Sequence, residues 1–364
     1  CANEKKIKIG VLVPMSGDNK DLGHSIIKAT KMALKDVNTY KLEIYPKDTA
    51  SNPNQTLKAA KELSKMGIQI VIGPIFYNNL IHLNEVENII FLSLTNKTIN
   101  LPNNVISSGI NATSQLSAIK KFIKLNEINK TIFLMPKLDY EAEVKKAIKE
   151  SKIKIFNHYL YDTEPTKLTK QIEKITNYKT RKQNVFDEIK RIEESELSKS
   201  SKERRIEELK KRYTIGKINF DSAIISDFSE SLKSVITSLL YTDVLPREKY
   251  IITFNQWFDK SLLNEKTLQP IYYPSINKKN LDKFKEKYYK EFNKEANHLG
   301  LLSYDLVGLI YYLSLQNEIF EPKKLFKKKN IFKGKIGVFD IQNNKINHKL
   351  NFYKIDQSKI IEIF

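Results

Sequence analysis

Five histidines, His24, His82, His158, His298 and His348, are the residues best able to hold a metal or move a proton, and their spacing argues against both. No two lie at ligand spacing on one helix, and no Gly-x-Ser-x-Gly turn or phosphate loop occurs. Ser16 beside Gly17 could pass for a nucleophile, but a loop serine after a first strand serves more often as a ligand or cap group. The only cysteine is Cys1, so neither an internal disulfide nor a cysteine-held zinc or iron site is available. These residues point to binding rather than catalysis, with no catalytic group, metal or cofactor expected.

The elements that would carry a binding site alternate between strand and helix. Lys6 to Val13 alternates and then turns apolar, as a buried strand does, and breaks at Pro14-Met15-Ser16-Gly17-Asp18. A helix follows through Ile26, Ile27, Met32, Ala33, Leu34 and Val37. Leu42 to Pro46 predicts a strand, Thr56 to Met66 a helix ended by Gly67, Ile68 to Ile72 a strand, Asn78 to Val86 a helix and Ile89 to Leu92 a strand. The rhythm restarts after Ile110-Asn111-Ala112, with strands at Thr131 to Met135, Ile153 to Tyr159, Asp221 to Ser226 and Tyr250 to Phe254. Long helices are expected at Leu281 to Phe292 and Leu301 to Leu315, the second almost wholly apolar and hence buried. A closing antiparallel hairpin is expected around Gln342-Asn343-Asn344, with Leu350 to Ile355 as its last strand.

Two successive runs of this kind predict an α/β protein of two lobes, each a doubly wound, mostly parallel sheet with helices on both faces. Lobe 1 is expected at residues 1–112 plus 256–328, and lobe 2 at 113–255 plus 329–364. Ligands of open α/β sheets bind beyond the carboxyl ends of the strands. That rule selects Ser16, Tyr77, Asn78, Asn79, Ser93, Thr95, Asn96, Asp139, Tyr140, Asp227, Asn255 and Trp257 as candidates for an interlobe cleft.

Residues 179–217 interrupt the rhythm with a charged segment in which Phe186, Ile189, Ile192, Ile206 and Leu209 recur at helical spacing. Ser198-Lys-Ser-Ser-Lys divides it, which predicts a helical hairpin inserted in lobe 2 with a narrow apolar seam. So few apolar residues suggest that the hairpin could be deleted without loss of the fold.

With 62 Lys and Arg against 42 Asp and Glu, the net charge is +20, enough to attract any polyanion. The lysines are spread along the chain and aromatic residues are not interleaved among them, so the charge predicts a solvated surface and no nucleic-acid partner. A sequence beginning Cys-Ala-Asn reads as one trimmed at a signal-peptide cleavage site, which predicts an acylated Cys1 and membrane attachment through it. Ala2 rather than Asp at the second position resembles the sorting signal for the outer membrane, so the expected location is the periplasm, with the lipid anchor in the outer membrane.

The opening Ile-Gly-Val-Leu-Val-Pro-Met-Ser-Gly (9–17), Gly23, Val-Ile-Gly-Pro (71–74), Asp139-Tyr140, Ser303-Tyr304-Asp305 and the closing Phe-Lys-Gly-Lys-Ile-Gly-Val-Phe-Asp together resemble the leucine/isoleucine/valine-binding branch of the type I periplasmic binding proteins. The resemblance covers nearly the whole chain and implies two lobes joined by three crossovers. Gly-Pro-Ile-Phe (73–76), Ser-Leu-Thr-Asn (93–96), Phe254-Asn-Gln-Trp-Phe-Asp and the charged insertion before Phe220-Asp-Ser-Ala-Ile are similar to the penicillin-binding protein activators of proteobacteria, lipoproteins that stimulate peptidoglycan synthases.

Two functions follow from these likenesses. One is an activator that binds a peptidoglycan synthase; the other is the substrate-binding protein of an ABC importer for branched-chain amino acids or a related small polar solute. Amino-acid receptors of this family carry hydroxyls after the Gly-Pro strand, where this chain has Tyr77-Asn78-Asn79-Leu80. After the next strand only Ser93, Thr95 and Thr98 keep hydroxyls, and Lys97 adds a charge. Asp227 or Asp139 would have to balance a ligand ammonium, because an unpaired buried charge is costly. These departures favour the activator.

Overall fold

A computed structural model describes residues 5–364. In chain order the elements begin β1 (Ile7–Val13), α1 (Lys20–Val37), β2 (Leu42–Asp48), α2 (Pro53–Lys65), β3 (Ile70–Ile72), β4 (Ile90–Ser93), β5 (Val105–Ser107) and α3 (Ala112–Leu125). There follow β6 (Thr131–Pro136), α4 (Glu141–Ser151), β7 (Asn157–Tyr161), α5 (Pro165–Ile175), α6 (Tyr178–Glu193), α7 (Lys199–Lys210), β8 (Ser222–Ile225), α8 (Ser229–Tyr241) and β9 (Tyr250–Thr253). The remainder is α9 (Lys260–Leu263), β10 (Ile271–Ser275), α10 (Lys278–Phe292), α11 (His298–Leu315), α12 (Pro322–Leu325), β11 (Asn330–Lys333), β12 (Val338–Gln342), β13 (Lys345–Lys349), β14 (Asn351–Asp356) and β15 (Lys359–Glu362).

These elements form two compact units. Unit 1 holds the described residues up to Leu116 with Ala142–Ser151 and Ile276–Leu350; unit 2 holds Ser117–Glu141, Lys152–Ser275 and Asn351–Phe364. The divisions fall later than the 255 and 328 expected from the sequence. Ile271–Ser275 forms β10, which pairs with β9 and β14 and so keeps the chain in unit 2 up to Ser275. β11 to β13 stay in unit 1, where Asn111 Nδ2 donates to Asn347 Oδ1 (2.9 Å) and the His348 ring meets the Ser108 carbonyl (2.7 Å).

Unit 1 is a parallel sheet in the order β2-β1-β3-β4-β5, with a separate antiparallel sheet β11-β12-β13. Its strands are apolar because both faces are covered, and Ile9, Val11, Val71, Phe91 and Leu92 are fully buried. α11 packs on α1 and is apolar nearly all round, as a helix inside a core must be. By length and composition alone it could cross a membrane, but most of it is buried within the protein. The segment expected to be a helix from Asn78 to Val86 is instead two 3₁₀ turns, Tyr77–Leu80 and Leu83–Glu85. Leu80, Leu83 and Val86 are its buried apolar residues, spaced by three as a 3₁₀ period requires.

Unit 2 is a seven-stranded sheet ordered β15-β14-β10-β9-β8-β6-β7, parallel from β10 to β7 and antiparallel at the edge formed by β14 and β15. Phe122 stacks on Phe352 at 4.6 Å and meets the Tyr250 ring edge-on at 5.6 Å, which ties α3 to this sheet. The insertion is the hairpin α6–α7, divided where Ser198 caps α7 by accepting from the Ser201 amide. Its base is packed into unit 2. Arg181 is 3% exposed, and its guanidinium donates to the carbonyl of Thr242 (2.8 Å) and the hydroxyl of Thr214 (3.1 Å). Val185 and Ile192 are buried as well, whereas α7 buries nothing fully.

Candidate functional site

In unit 1 the expected residues sit on loops at the carboxyl ends of β1, β3 and β4. Gly23 lets α1 start against the first loop, since a Cβ there would lie 1.6 Å from the Pro14 carbonyl oxygen. Ser16 is exposed, and its hydroxyl donates to Asp48 Oδ2 at 2.6 Å. Burial pushes the Asp48 carboxyl up, but that hydroxyl and the amides of Met15 and Ala50 outweigh it and hold Asp48 below the ordinary carboxylate range. Ser16 is therefore a loop-holding group.

The hydroxyls beyond β4 are committed in the same way. Ser93 is wholly buried and donates to the Pro74 carbonyl at 2.8 Å, while the Thr95 hydroxyl accepts the Lys97 amide at 3.2 Å. At the end of β5, Ser107 donates to the Thr95 carbonyl (2.7 Å) and Ser108 to the Ser93 carbonyl (2.6 Å). Thr98 gives its amide (2.6 Å) and hydroxyl (2.5 Å) to Glu143. Each loop hydroxyl is part of the fold's own hydrogen bonding.

Tyr77 and the 93–98 loop are brought together. The Tyr77 hydroxyl donates to the Ile99 carbonyl at 2.7 Å, and the Lys97 ammonium stands 5.0 Å from the Tyr77 ring centre. Asn78 and Asn96 are exposed, and Asn79 is buried with a side-chain amide nitrogen that has no hydrogen-bond partner among the described residues.

In unit 2 the residues converge on Asp227, which follows β8 and is 8% exposed. Its Oδ2 accepts from the hydroxyls of Tyr161 (2.5 Å) and Ser231 (2.5 Å), and its Oδ1 from the Phe228 amide (2.8 Å). The Asp227 carbonyl accepts from Gln256 at 3.0 Å, and the neighbouring Ser226 carbonyl from the Tyr140 hydroxyl at 2.9 Å. Burial and then the Asp227 carboxylate push the Tyr161 hydroxyl far above the ordinary phenol range, so it stays protonated and donating. Burial also raises Tyr140.

Asn255 is buried and accepts the Trp257 amide at 2.9 Å. Trp257 and Phe258 both adopt left-handed backbone (φ 50° and 57°), uncommon for large residues. The turn puts Phe258 into the core against Tyr353 at 5.0 Å and leaves Trp257 half-buried. Asp139 is exposed on its loop. Tyr161, Ser231 and Gln256 were not foreseen; a tyrosine ending a strand and a serine four residues after an aspartate are the signals that could have found them. Cys1 lies outside the described residues.

The comparisons agree with this architecture. Residues 6–180, just under half of the chain, match the family model for periplasmic binding proteins. The chain has the type I periplasmic binding fold, with α/β units of mostly parallel sheets flanked by helices. It is similar to the C-domain of LpoA from Haemophilus influenzae, a regulator of PBP1A, with a TM-score of 0.66 and 15% identity over 98% of this chain and 100% of that one. It is also similar to LivJ from Streptococcus pneumoniae, a branched-chain amino acid transporter substrate binding protein in complex with isoleucine (TM-score 0.53, 15% identity, 98% and 100% covered). Against full-length Haemophilus influenzae LpoA the TM-score is 0.63 at 14% identity, over 99% of this chain but only 59% of that protein. No curated protein matches the sequence.

Proposed function

We propose that this is a non-catalytic binding protein of the cell envelope that acts on a protein partner, a peptidoglycan synthase, rather than carrying a free amino acid. The supporting observation is that the loop hydroxyls and the buried carboxylate available for a zwitterion already make hydrogen bonds inside each unit. To recruit the Ser93 hydroxyl, a ligand carboxylate must take it from the Pro74 carbonyl; to recruit Asp227, an ammonium must share an oxygen that already accepts, Oδ2 from Tyr161 and Ser231 or Oδ1 from the Phe228 amide. Leaving a buried polar group unpaired costs about 1–3 kcal/mol, so two or three such losses cancel much of what a small ligand gains. A protein partner needs none of these groups.

The importer reading draws on one observation, the unpaired Asn79 amide, which could receive an acceptor on a small polar solute. A single amide does not serve two charges, so this reading ranks second. A titration of the purified chain against a purified bifunctional peptidoglycan synthase tests the first. The expected result is saturable binding with Kd of about 1 μM to 100 μM, typical of a transient envelope contact, together with faster glycan polymerisation. Absence of both across that range contradicts the proposal.

A further inference from the structure

Residues 323–335 carry seven lysines and no acidic residue. All seven are exposed. Lys324 pairs with Glu321 at 2.8 Å and Lys335 lies 3.9 Å from Asp36, while Lys323, Lys327, Lys328, Lys329 and Lys333 have no ion-pair partner among the described residues.

This segment is held in place. Leu325 and Phe326 are buried, and the amides of Asn344 and Asn343 donate to the carbonyls of Phe326 (2.8 Å) and Lys327 (3.0 Å). β11 follows as an edge strand, tied to the end of α11 by Asn330 Nδ2 donating to Gln316 Oε1 at 3.0 Å and by the Phe332 ring 5.4 Å from Tyr312. With Asn330 and Phe332 turned to α11, strand alternation turns Ile331 and Lys333 outward. Three large aliphatic side chains in this region stay in solvent: Leu315 at 57%, Ile319 at 69% and Ile331 at 41% exposure.

Lysine on an exposed edge strand commonly blocks pairing with another chain, and that accounts for Lys333. It does not account for Lys327–Lys329, which precede the strand, nor for the uncovered Ile331 on the strand and Leu315 at the end of α11. A nucleic-acid site would place aromatic faces outward for stacking, but Tyr312 and Phe332 pack on each other. Clustered lysines beside exposed aliphatic side chains fit a partner with an anionic plane and an apolar layer beneath it.

We propose that the surface formed by Lys323–Lys333, Leu315, Ile319 and Ile331 docks on an anionic phospholipid bilayer. The lysines meet the headgroup phosphates and the aliphatic side chains enter the acyl boundary.

The test uses the 364-residue chain with Cys1→Ser, so that no acyl group can anchor it, in flotation with phosphatidylglycerol and phosphatidylcholine vesicles. Binding is expected to phosphatidylglycerol only and to weaken as salt rises. The triple change Lys327→Glu, Lys328→Glu and Lys329→Glu should weaken it by roughly a hundredfold. Ile319→Ser with Ile331→Ser should remove the binding that persists at high salt. Unchanged circular dichroism and melting temperature keep these variants interpretable. No binding to phosphatidylglycerol at low salt, or a triple variant that binds like the parent, overturns the proposal. Equal binding to soluble polyphosphate with no effect of the isoleucine changes makes the patch a general polyanion site and overturns it too.

Discussion

The hydroxyls of Tyr161 and Ser231 both reach Asp227 Oδ2 at 2.5 Å, one from the end of β7 and one from the first turn of α8. Both oxygens of a buried carboxyl group thus accept from donors of its own unit. Tyr161→Phe should destabilise the protein by about 1–3 kcal/mol, because a charged acceptor loses one of few donors; Ser231→Ala should cost less, about 1 kcal/mol. Urea unfolding with an unchanged m-value is the measurement. A neutral Tyr161→Phe would mean that Asp227 is satisfied without it.

Asp305 and His348 give unit 1 two opposed proton equilibria. Burial raises the Asp305 carboxyl to about 7, against the amides of Gly337 and Ile336, and burial lowers the His348 ring to about 4. An acid whose folded pKa is raised adds stability as pH falls from about 7 toward its unfolded value near 4. A histidine whose folded pKa is lowered removes stability as pH falls from about 6.5 to about 4. Over that shared window the two slopes are about equal and opposite, each of order one kcal/mol per pH unit. Relative to the parent, Asp305→Asn should lose stability on acidification from pH 6.5 to 4.5 and His348→Gln should gain it. Parallel pH–stability curves for all three proteins would refute this balance.

The hairpin α6–α7 divides into an expendable tip and an anchored base. Replacing Ser198–Arg212 with a short Gly-Ser link should leave the fold intact, since α7 buries nothing fully and loop length carries little entropic cost. Arg181→Met should cost about 3 kcal/mol, because the carbonyl of Thr242 and the Thr214 hydroxyl lose a buried donor. Chemical denaturation separates the two. A tip deletion as damaging as Arg181→Met contradicts the division.

Gly23→Ala tests the first loop. The added Cβ would lie 1.6 Å from a backbone oxygen, so α1 or the Pro14 loop must move and little folded protein should be recovered at 37 °C. Full solubility with a parental melting temperature would show that this loop yields freely.

Strand and helix identities were largely readable because buried parallel strands and amphipathic helices leave different periods, as Ile68 to Ile72 and Thr56 to Met66 show. The misreadings have local causes. β10 is Ile-Tyr-Tyr-Pro-Ser, a five-residue strand with a proline inside and Pro270 before it, and overlooking it moved the expected boundary between units from Ser275 to 255. Leu350 to Ile355 was expected to close a terminal hairpin that turns at Gln342-Asn343-Asn344. Instead β13 pairs with β12 and β14 joins the other sheet. For the candidate site, position after a strand identified Ser93, Asp227 and Asn255 but not their commitments. Tyr161 and Asp227 are 66 residues apart, so a place at the end of a strand could mark Tyr161 as a candidate but not as the donor to Asp227.

On the proposed function, the polar groups beside the sheets serve the fold and leave no amino-acid site. Its most direct test is thermal unfolding of the full chain with leucine, isoleucine, valine and the other free amino acids up to millimolar concentration. A ligand at about 100 times its Kd stabilises the folded state by about 2.7 kcal/mol, which moves the melting midpoint by several degrees. No saturable shift is expected with any of them. A saturable rise with leucine, isoleucine or valine would contradict it and make the chain an amino-acid receptor.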